Sequence, residues 1–218
     1  MMSPDTKESE TIEERRKLIH SLIFPSFFLI LIWLVKITEV ALDMDFSGYG
    51  IYPLKIKGIT GIITGPLIHA DFKHLFDNSL PLFFLSIAIF YFYRVVAYRV
   101  FFLTLLLTGV WVWFGGRTAS HIGSSGLVYG FASFLFFSGV IRNNLNLLAI
   151  SLLVVFLYGG LVWGIFPYDY RISWESHLGG GLSGLVLAFY YRKYGPPSAR
   201  YEWEEEEGDE EPPEDPEK

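Results

Sequence analysis

Six separate stretches of this chain, about 18–39, 70–93, 95–114, 123–141, 145–163 and 175–194, are apolar almost throughout. A hydrocarbon core about 30 Å thick takes roughly 20 residues of helix, so each stretch is a candidate membrane span. The pattern predicts an all-α, polytopic membrane protein with six transmembrane helices. Acidic residues and arginines flank the first stretch, and no small-residue cleavage site follows it, which reads as a retained span rather than a signal peptide. Glycines crowd the fourth and sixth. They weaken a helix in water but let membrane helices approach closely.

Charge divides the 218 residues into unlike parts. The formal net charge of −6 suggests an acidic soluble protein, yet 11 of the 23 acidic residues lie in residues 202–217. Up to Tyr201 the chain holds 16 basic residues against 12 acidic ones. Three parts follow: a short N-terminal segment at 1–17, a six-helix domain at 18–194, and a tail at 195–218. Dense like charge together with Pro212, Pro213 and Pro216 predicts that the tail is disordered. Alternate connections between the spans receive Lys7, Arg15, Arg16, Lys17, Arg94, Arg99, Arg142, Arg192, Lys193 and Arg200. The opposite set receives Lys55, Lys57, Arg117 and Arg171, with Lys36 and Lys73 near its border. The excess on the first side puts both termini in the cytoplasm, and a bacterial inner membrane is the simplest host. The basic residues are scattered singly rather than gathered into a patch, which argues against nucleic acid as a partner. The chain has no cysteine, which excludes disulfides, a thiol nucleophile, iron–sulfur clusters and cysteine-bound zinc.

With the N-terminus inside, spans two, four and six all run inward from the outer face. Near their outer ends sit His69, His74 and Asn78, then Ser125, then His177. Polar groups within a membrane are costly, so they usually face the bundle interior or a wet cavity and serve a function. Ser125 lies in Gly123-Ser124-Ser125-Gly126 at the start of span four, where free helix N–H groups favour developing negative charge. Alone, that tetrapeptide reads more simply as a cap or a small-residue packing contact. Ser124 is a second possible nucleophile, but only Ser125 has glycine two residues before it and directly after. His177 opens His177-x-x-Gly180-x-x-x-Gly184, which puts both glycines on its own helix face. Singly it reads as a structural histidine; paired with a serine at matching depth it becomes a general base. Tyr129 lies one turn from Ser125 on the same face, placed to stack on the imidazole. His74 and Asn78, four residues apart, could donate to an oxyanion, whereas His69 reads better as a loop anchor.

These residues resemble the rhomboid family of intramembrane serine proteases. The family pattern joins His-x4-His-Leu-x2-Asn in helix two, Gly-x-Ser-Gly in helix four and His-x2-Gly-x3-Gly in helix six. Here the corresponding segments read HADFKHLFDN, GSSG and SHLGGGLSG, in that order. The resemblance covers residues 18–194 and not the tail. It implies a Ser125–His177 dyad that cleaves transmembrane protein substrates near the outer face of the lipid bilayer, with neither metal nor cofactor. It implies an oxyanion hole from the Ser125 N–H, Asn78 and His74, a supporting role for Tyr129 and a structural one for His69. A helical substrate hides its peptide bonds in its own hydrogen bonds, so segments with small or helix-breaking residues would be preferred.

The first outer loop, roughly 40–68, departs from the pattern of many members. It lacks their Trp-Arg pair and is rich in glycine and isoleucine instead. Glu175 precedes His177 by two residues, on another helix face, and is assigned no role. An inactive relative that binds membrane-protein clients is the alternative, and intact Ser125 and His177 argue against it. So does the clustering of polar residues toward one face against a transporter. His-Glu-x-x-His is absent, which excludes that zinc chemistry. Asp71 and Asp77 share one helix and cannot form an aspartyl pair drawn from two.

Overall fold

The computed structural model describes residues 4–157, 164–167, 169 and 172–196. The end of the fifth stretch and the acidic tail beyond residue 196 lie outside them. Six long helices make up the described chain: α1 Pro4–Ala41, α2 Phe72–Phe92, α3 Ala97–Gly115, α4 Ser125–Ile141, α5 Leu145–Leu157 and α6 Trp174–Tyr190. Among the described residues no strand forms; the one extended pairing is an isolated antiparallel bridge between Ile51 and His121. The protein is thus an all-helical, polytopic membrane bundle, the architecture in which every backbone group inside lipid finds a partner within its own segment. By length and composition α1 from Thr11, α2 and α3 each suffice to cross a membrane, and α4 is a shorter apolar helix.

Two helix starts differ from the boundaries expected of the apolar runs. Helix α1 begins at Pro4 rather than near residue 18, so the N-terminal segment continues the first span as helix. Its polar turns are supported by Glu13 and Glu14 against Lys17, at i,i+4 and i,i+3 spacing. Helix α2 begins at Phe72, because Asp71 caps it: the Asp71 carboxylate accepts the His74 N–H at 2.7 Å. His69 therefore precedes the helix instead of opening it.

Helices α4 and α6 start at the same end of the bundle and pack backbone to backbone. A Cβ at Gly180 would collide with the Gly126 carbonyl oxygen, and one at Gly184 with that of Gly130. On its other side α4 meets α3, where a Cβ at Gly126 would lie 2.8 Å from Thr108 Cγ2. Small residues at such seams replace the hydrophobic drive that lipid removes, since close approach maximises dispersion contact. At the far end of α1 and α2 the core is aromatic: Phe24 stacks on Phe90 with centroids 5.1 Å apart and meets Phe101 edge-on at 4.9 Å.

The connection between α1 and α2 holds short 3₁₀ turns and one helical turn, Gly61–Thr64. Though it contains neither Trp nor Arg, a tryptophan from α3 fastens it. Trp113 Nε1 donates to the Lys55 carbonyl at 3.0 Å, and the Leu54 N–H donates to the Trp113 carbonyl at 3.0 Å. Its two ends are gathered by a buried ion pair on α1. Lys36 Nζ lies 2.7 Å from Glu39 Oε2 and donates to the Ala70 carbonyl at 2.9 Å, while Glu39 Oε1 accepts the Phe46 N–H at 2.9 Å. Replacing Lys36 by methionine strands a buried carboxylate and is expected to cost about 3 kcal/mol, much of it recovered in Lys36→Met/Glu39→Leu. Thermal unfolding in detergent, scored by the shift of the midpoint in single and double variants, checks this.

Candidate active site

Ser125 is the first residue of α4, and His177 lies in the first turn of α6. The glycine seam holds these helix ends close enough for side chains to meet. Ser125 Oγ and His177 Nε2 are 2.8 Å apart, and both residues are buried. On the other side of the ring, His177 Nδ1 donates to the Gly164 carbonyl at 2.8 Å. A carbonyl can only accept, so the Nδ1 position carries the proton and Nε2 is left with a lone pair toward the serine hydroxyl. That is the tautomer a general base needs. Tyr129 lies flat on the imidazole, with ring centroids 4.1 Å apart and planes 9° from parallel.

Ser124 faces elsewhere. Its N–H donates to His69 Nε2 at 3.3 Å, and its hydroxyl lies 3.2 Å from the same nitrogen. His69 thus reaches from the connection before α2 to the residue preceding Ser125. Of the two serines, only Ser125 meets His177.

Helix α2 brings two further groups to this point. Gly123 sits at φ +106°, a conformation that favours glycine. A Cβ there would lie 2.8 Å from His74 Cε1 and 3.7 Å from Asn78 Nδ2. The glycine therefore leaves open a space beside Ser125 that the His74 ring and the Asn78 amide border. Asn78 is buried, and among the described residues its Nδ2 has no hydrogen-bond partner. An unpaired buried donor costs free energy in the resting protein, and here it adjoins the start of α4, where the Leu127 and Val128 N–H groups are taken by the Ser124 carbonyl and those of Ser125 and Gly126 come before the first intrahelical acceptor. Donors converging on one place are what stabilisation of a developing negative charge requires. Of the residues singled out in the sequence, Ser125, His177, Tyr129, Asn78, His74, Gly123, Gly126, Gly180 and His69 lie toward one end of the bundle, and Gly184 continues the seam toward its middle. Their contributions differ, with Gly126, Gly180 and Gly184 forming the seam and His69 reaching Ser124.

Two features had no counterpart in the sequence reading. One is the Gly164 carbonyl: a backbone oxygen carries no residue signal. The other is a polar cluster of Arg117, His121, Ser173, Glu175 and Ser176 beside the start of α6. Glu175 turns away from His177 and accepts from Arg117 through the backbone N–H at 3.2 Å and through Nη1 at 3.3 Å. Histidine and arginine in a loop without periodicity leave only residue type as a clue.

A sequence model described as Rhomboid domain matches residues 57–194, from the connection after α1 to just beyond α6. The chain is 31% identical over 200 residues to an uncharacterized protein of Mycobacterium tuberculosis (strain ATCC 25618 / H37Rv), covering 85% of this chain and 81% of that one. It is 30% identical over 198 residues to an uncharacterized protein of Mycobacterium leprae (strain TN), covering 84% and 75%.

Proposed function

The chain belongs to the rhomboid family, and from that premise we propose that it is an intramembrane serine endopeptidase acting through Ser125 and His177 on transmembrane segments of other proteins. The observation that carries this reading is the 2.8 Å approach of Ser125 Oγ to an imidazole nitrogen whose opposite N–H is engaged by the Gly164 carbonyl. His177 Nε2 takes the Ser125 proton as the oxygen attacks the peptide carbonyl. The tetrahedral oxyanion receives hydrogen bonds from the Ser125 N–H, the Asn78 amide and His74. His177 then returns the proton to the leaving amine, and the peptide bond breaks to leave an acyl-serine. Water attacks that ester with His177 again as base, which regenerates the serine. The Tyr129 ring keeps the imidazole in plane through both half-reactions.

The membrane arrangement completes the proposal. Six spans carry the domain, both termini face the cytoplasm, and the site opens toward the outer face, where water is at hand for the second half-reaction. The acidic tail then lies on the side away from the chemistry, and a bacterial inner membrane is the host.

A fluorophosphonate probe and a transmembrane reporter substrate in liposomes test the assignment together. The parent protein is expected to be labelled at Ser125, as mapped by peptide mass spectrometry, and to cleave the reporter. Ser124→Ala should retain labelling and cleavage, while Ser125→Ala loses both. A folded parent that neither labels nor cleaves would instead support the client-binding alternative.

A further inference from the structure

The loop joining α3 to α4, residues 116–124, runs straight into Ser125 and also grips the start of α6. Arg117 Nη2 donates to the Ile172 carbonyl at 2.9 Å, just ahead of α6. The same side chain, with its own backbone N–H, engages the Glu175 carboxylate, whose side chain is 4% exposed. His121 is buried, and Nε2 donates to the Arg117 carbonyl at 3.0 Å. Burial holds this imidazole below its ordinary range, hence neutral at pH 7. Nδ1 then accepts from the Ser173 hydroxyl at 2.6 Å, and the Ser173 oxygen accepts from the Ser176 hydroxyl at 2.7 Å. Glu175 Oε2 stands 4.0 Å from the same Nδ1. Residues 117 and 121 thus hold Ile172, Ser173 and Glu175, and through Ser173 also Ser176, at the entry to α6 and on the turn that leads to His177.

On its opposite side this loop is fixed to the α1–α2 connection. Ile51 and His121 exchange both backbone hydrogen bonds at 2.9 Å, Ser120 Oγ donates to the Ser47 carbonyl at 2.5 Å, and the Gly123 N–H donates to the Gly65 carbonyl at 2.9 Å. The loop cannot shift without carrying Ser125, and α6 cannot turn about its axis without breaking the contacts to Arg117 and His121. The glycine seam sets how near α4 and α6 lie; it leaves rotation of α6 unopposed, because glycine faces are smooth. Farther along α6 the Ser133 hydroxyl on the Gly181 carbonyl opposes rotation; in the turn that leads to His177, Arg117 and His121 oppose it.

We infer that Glu175, gripped by Arg117 beside the His121–Ser173–Ser176 chain of hydrogen bonds, is a positioning residue that sets the angle at which His177 meets Ser125. The role rests on the reading of Ser125 and His177 as the reacting pair. A small error in that angle misaligns the lone pair with the hydroxyl, and misplacements of this order cost reactions far more than they cost folding.

Fluorophosphonate labelling of the full-length protein in liposomes separates positioning from folding, because its final amplitude counts folded sites and its rate constant reports how well His177 activates Ser125. Glu175→Gln keeps the side-chain volume and removes the charge; Ser173→Ala removes the hydroxyl that links His121 to Ser176. The expected result is a rate constant about tenfold lower in Glu175→Gln and about threefold lower in Ser173→Ala, at parental amplitude. Slowing beyond about twofold at full amplitude in either variant supports the role. Parent-like rates in both, or losses confined to amplitude, overturn it while leaving the dyad intact. A folded parent that is not labelled overturns the dyad reading itself, and the positioning role with it.

Discussion

Exchanging His177 for alanine is expected to lower cleavage of a transmembrane reporter by about 10⁴-fold, with Ser125→Ala costing about as much and the double variant no more than either. The reason lies in how the two side chains are joined. A serine hydroxyl is a weak nucleophile until its proton has somewhere to go, and among the described residues Ser125 Oγ finds its acceptor in His177 Nε2, at 2.8 Å. Without the imidazole the hydroxyl keeps its proton; without the hydroxyl the imidazole has nothing to deprotonate. Each loss therefore removes the same step, and the second finds nothing left to remove. Initial rates in liposomes, divided by the amount of folded enzyme, give the three factors. Additive losses would show that the residues act separately and would sink the dyad. The contact between Tyr129 and the ring is lost in His177→Ala as well, so the single variant also reports the end of that support.

Gly180→Val is expected to lower both stability and activity, by about 3 kcal/mol and at least about tenfold, whereas Gly181→Val next to it leaves both near the parent. The two glycines are neighbours on one helix and share its helix propensity penalty. They differ in what a side chain would meet. At Gly180 a Cβ runs into the Gly126 carbonyl oxygen, which is backbone and cannot rotate away; at Gly181 nothing lies within 4 Å. Accommodating valine at 180 means moving α6 away from α4, and Ser125 and His177 stand at the ends of those two helices. Thermal midpoints in detergent and reporter cleavage measure both effects, with Gly181→Val as the control for changing a glycine as such. Equal losses at 180 and 181 would show that backbone stiffness rather than the seam matters.

The long apolar runs made most of the bundle legible in advance, because a membrane span is defined by length and composition over some 20 residues. What they could not mark was where helix continues into polar sequence. Residues 4–17 hold no apolar run, and only the Glu13, Glu14 and Lys17 spacing hinted that α1 extends through them. The meeting of Ser125 and His177 could be anticipated, since both stand in the first turns of helices that start at the same end of the bundle, and the glycines spaced behind each allow close approach. The preference for Ser125 over Ser124 rested on its flanking glycines, and a one-residue step, which turns a helical side chain by about 100°, goes with Ser124 facing His69 instead. Least legible were contacts between loops. Trp113 on the Lys55 carbonyl, Arg117 on Glu175 and His121 on Ser173 join residues more than 50 positions apart in segments without periodicity.

The ties between α1 and α2 have a mechanical consequence. At one end the Tyr91 hydroxyl donates to Glu14 at 2.5 Å; at the other Lys36 reaches the Ala70 carbonyl. Along α1 these anchor points are separated by about 33 Å, at 1.5 Å per residue. Two helices pinned at both ends cannot slide past each other by even one turn, about 5.4 Å, without releasing a pin. Helix α1 thus acts as a measuring rod for α2, and it fixes the height at which Asn78 and His74 stand along the bundle, although α1 contributes none of the proposed site residues.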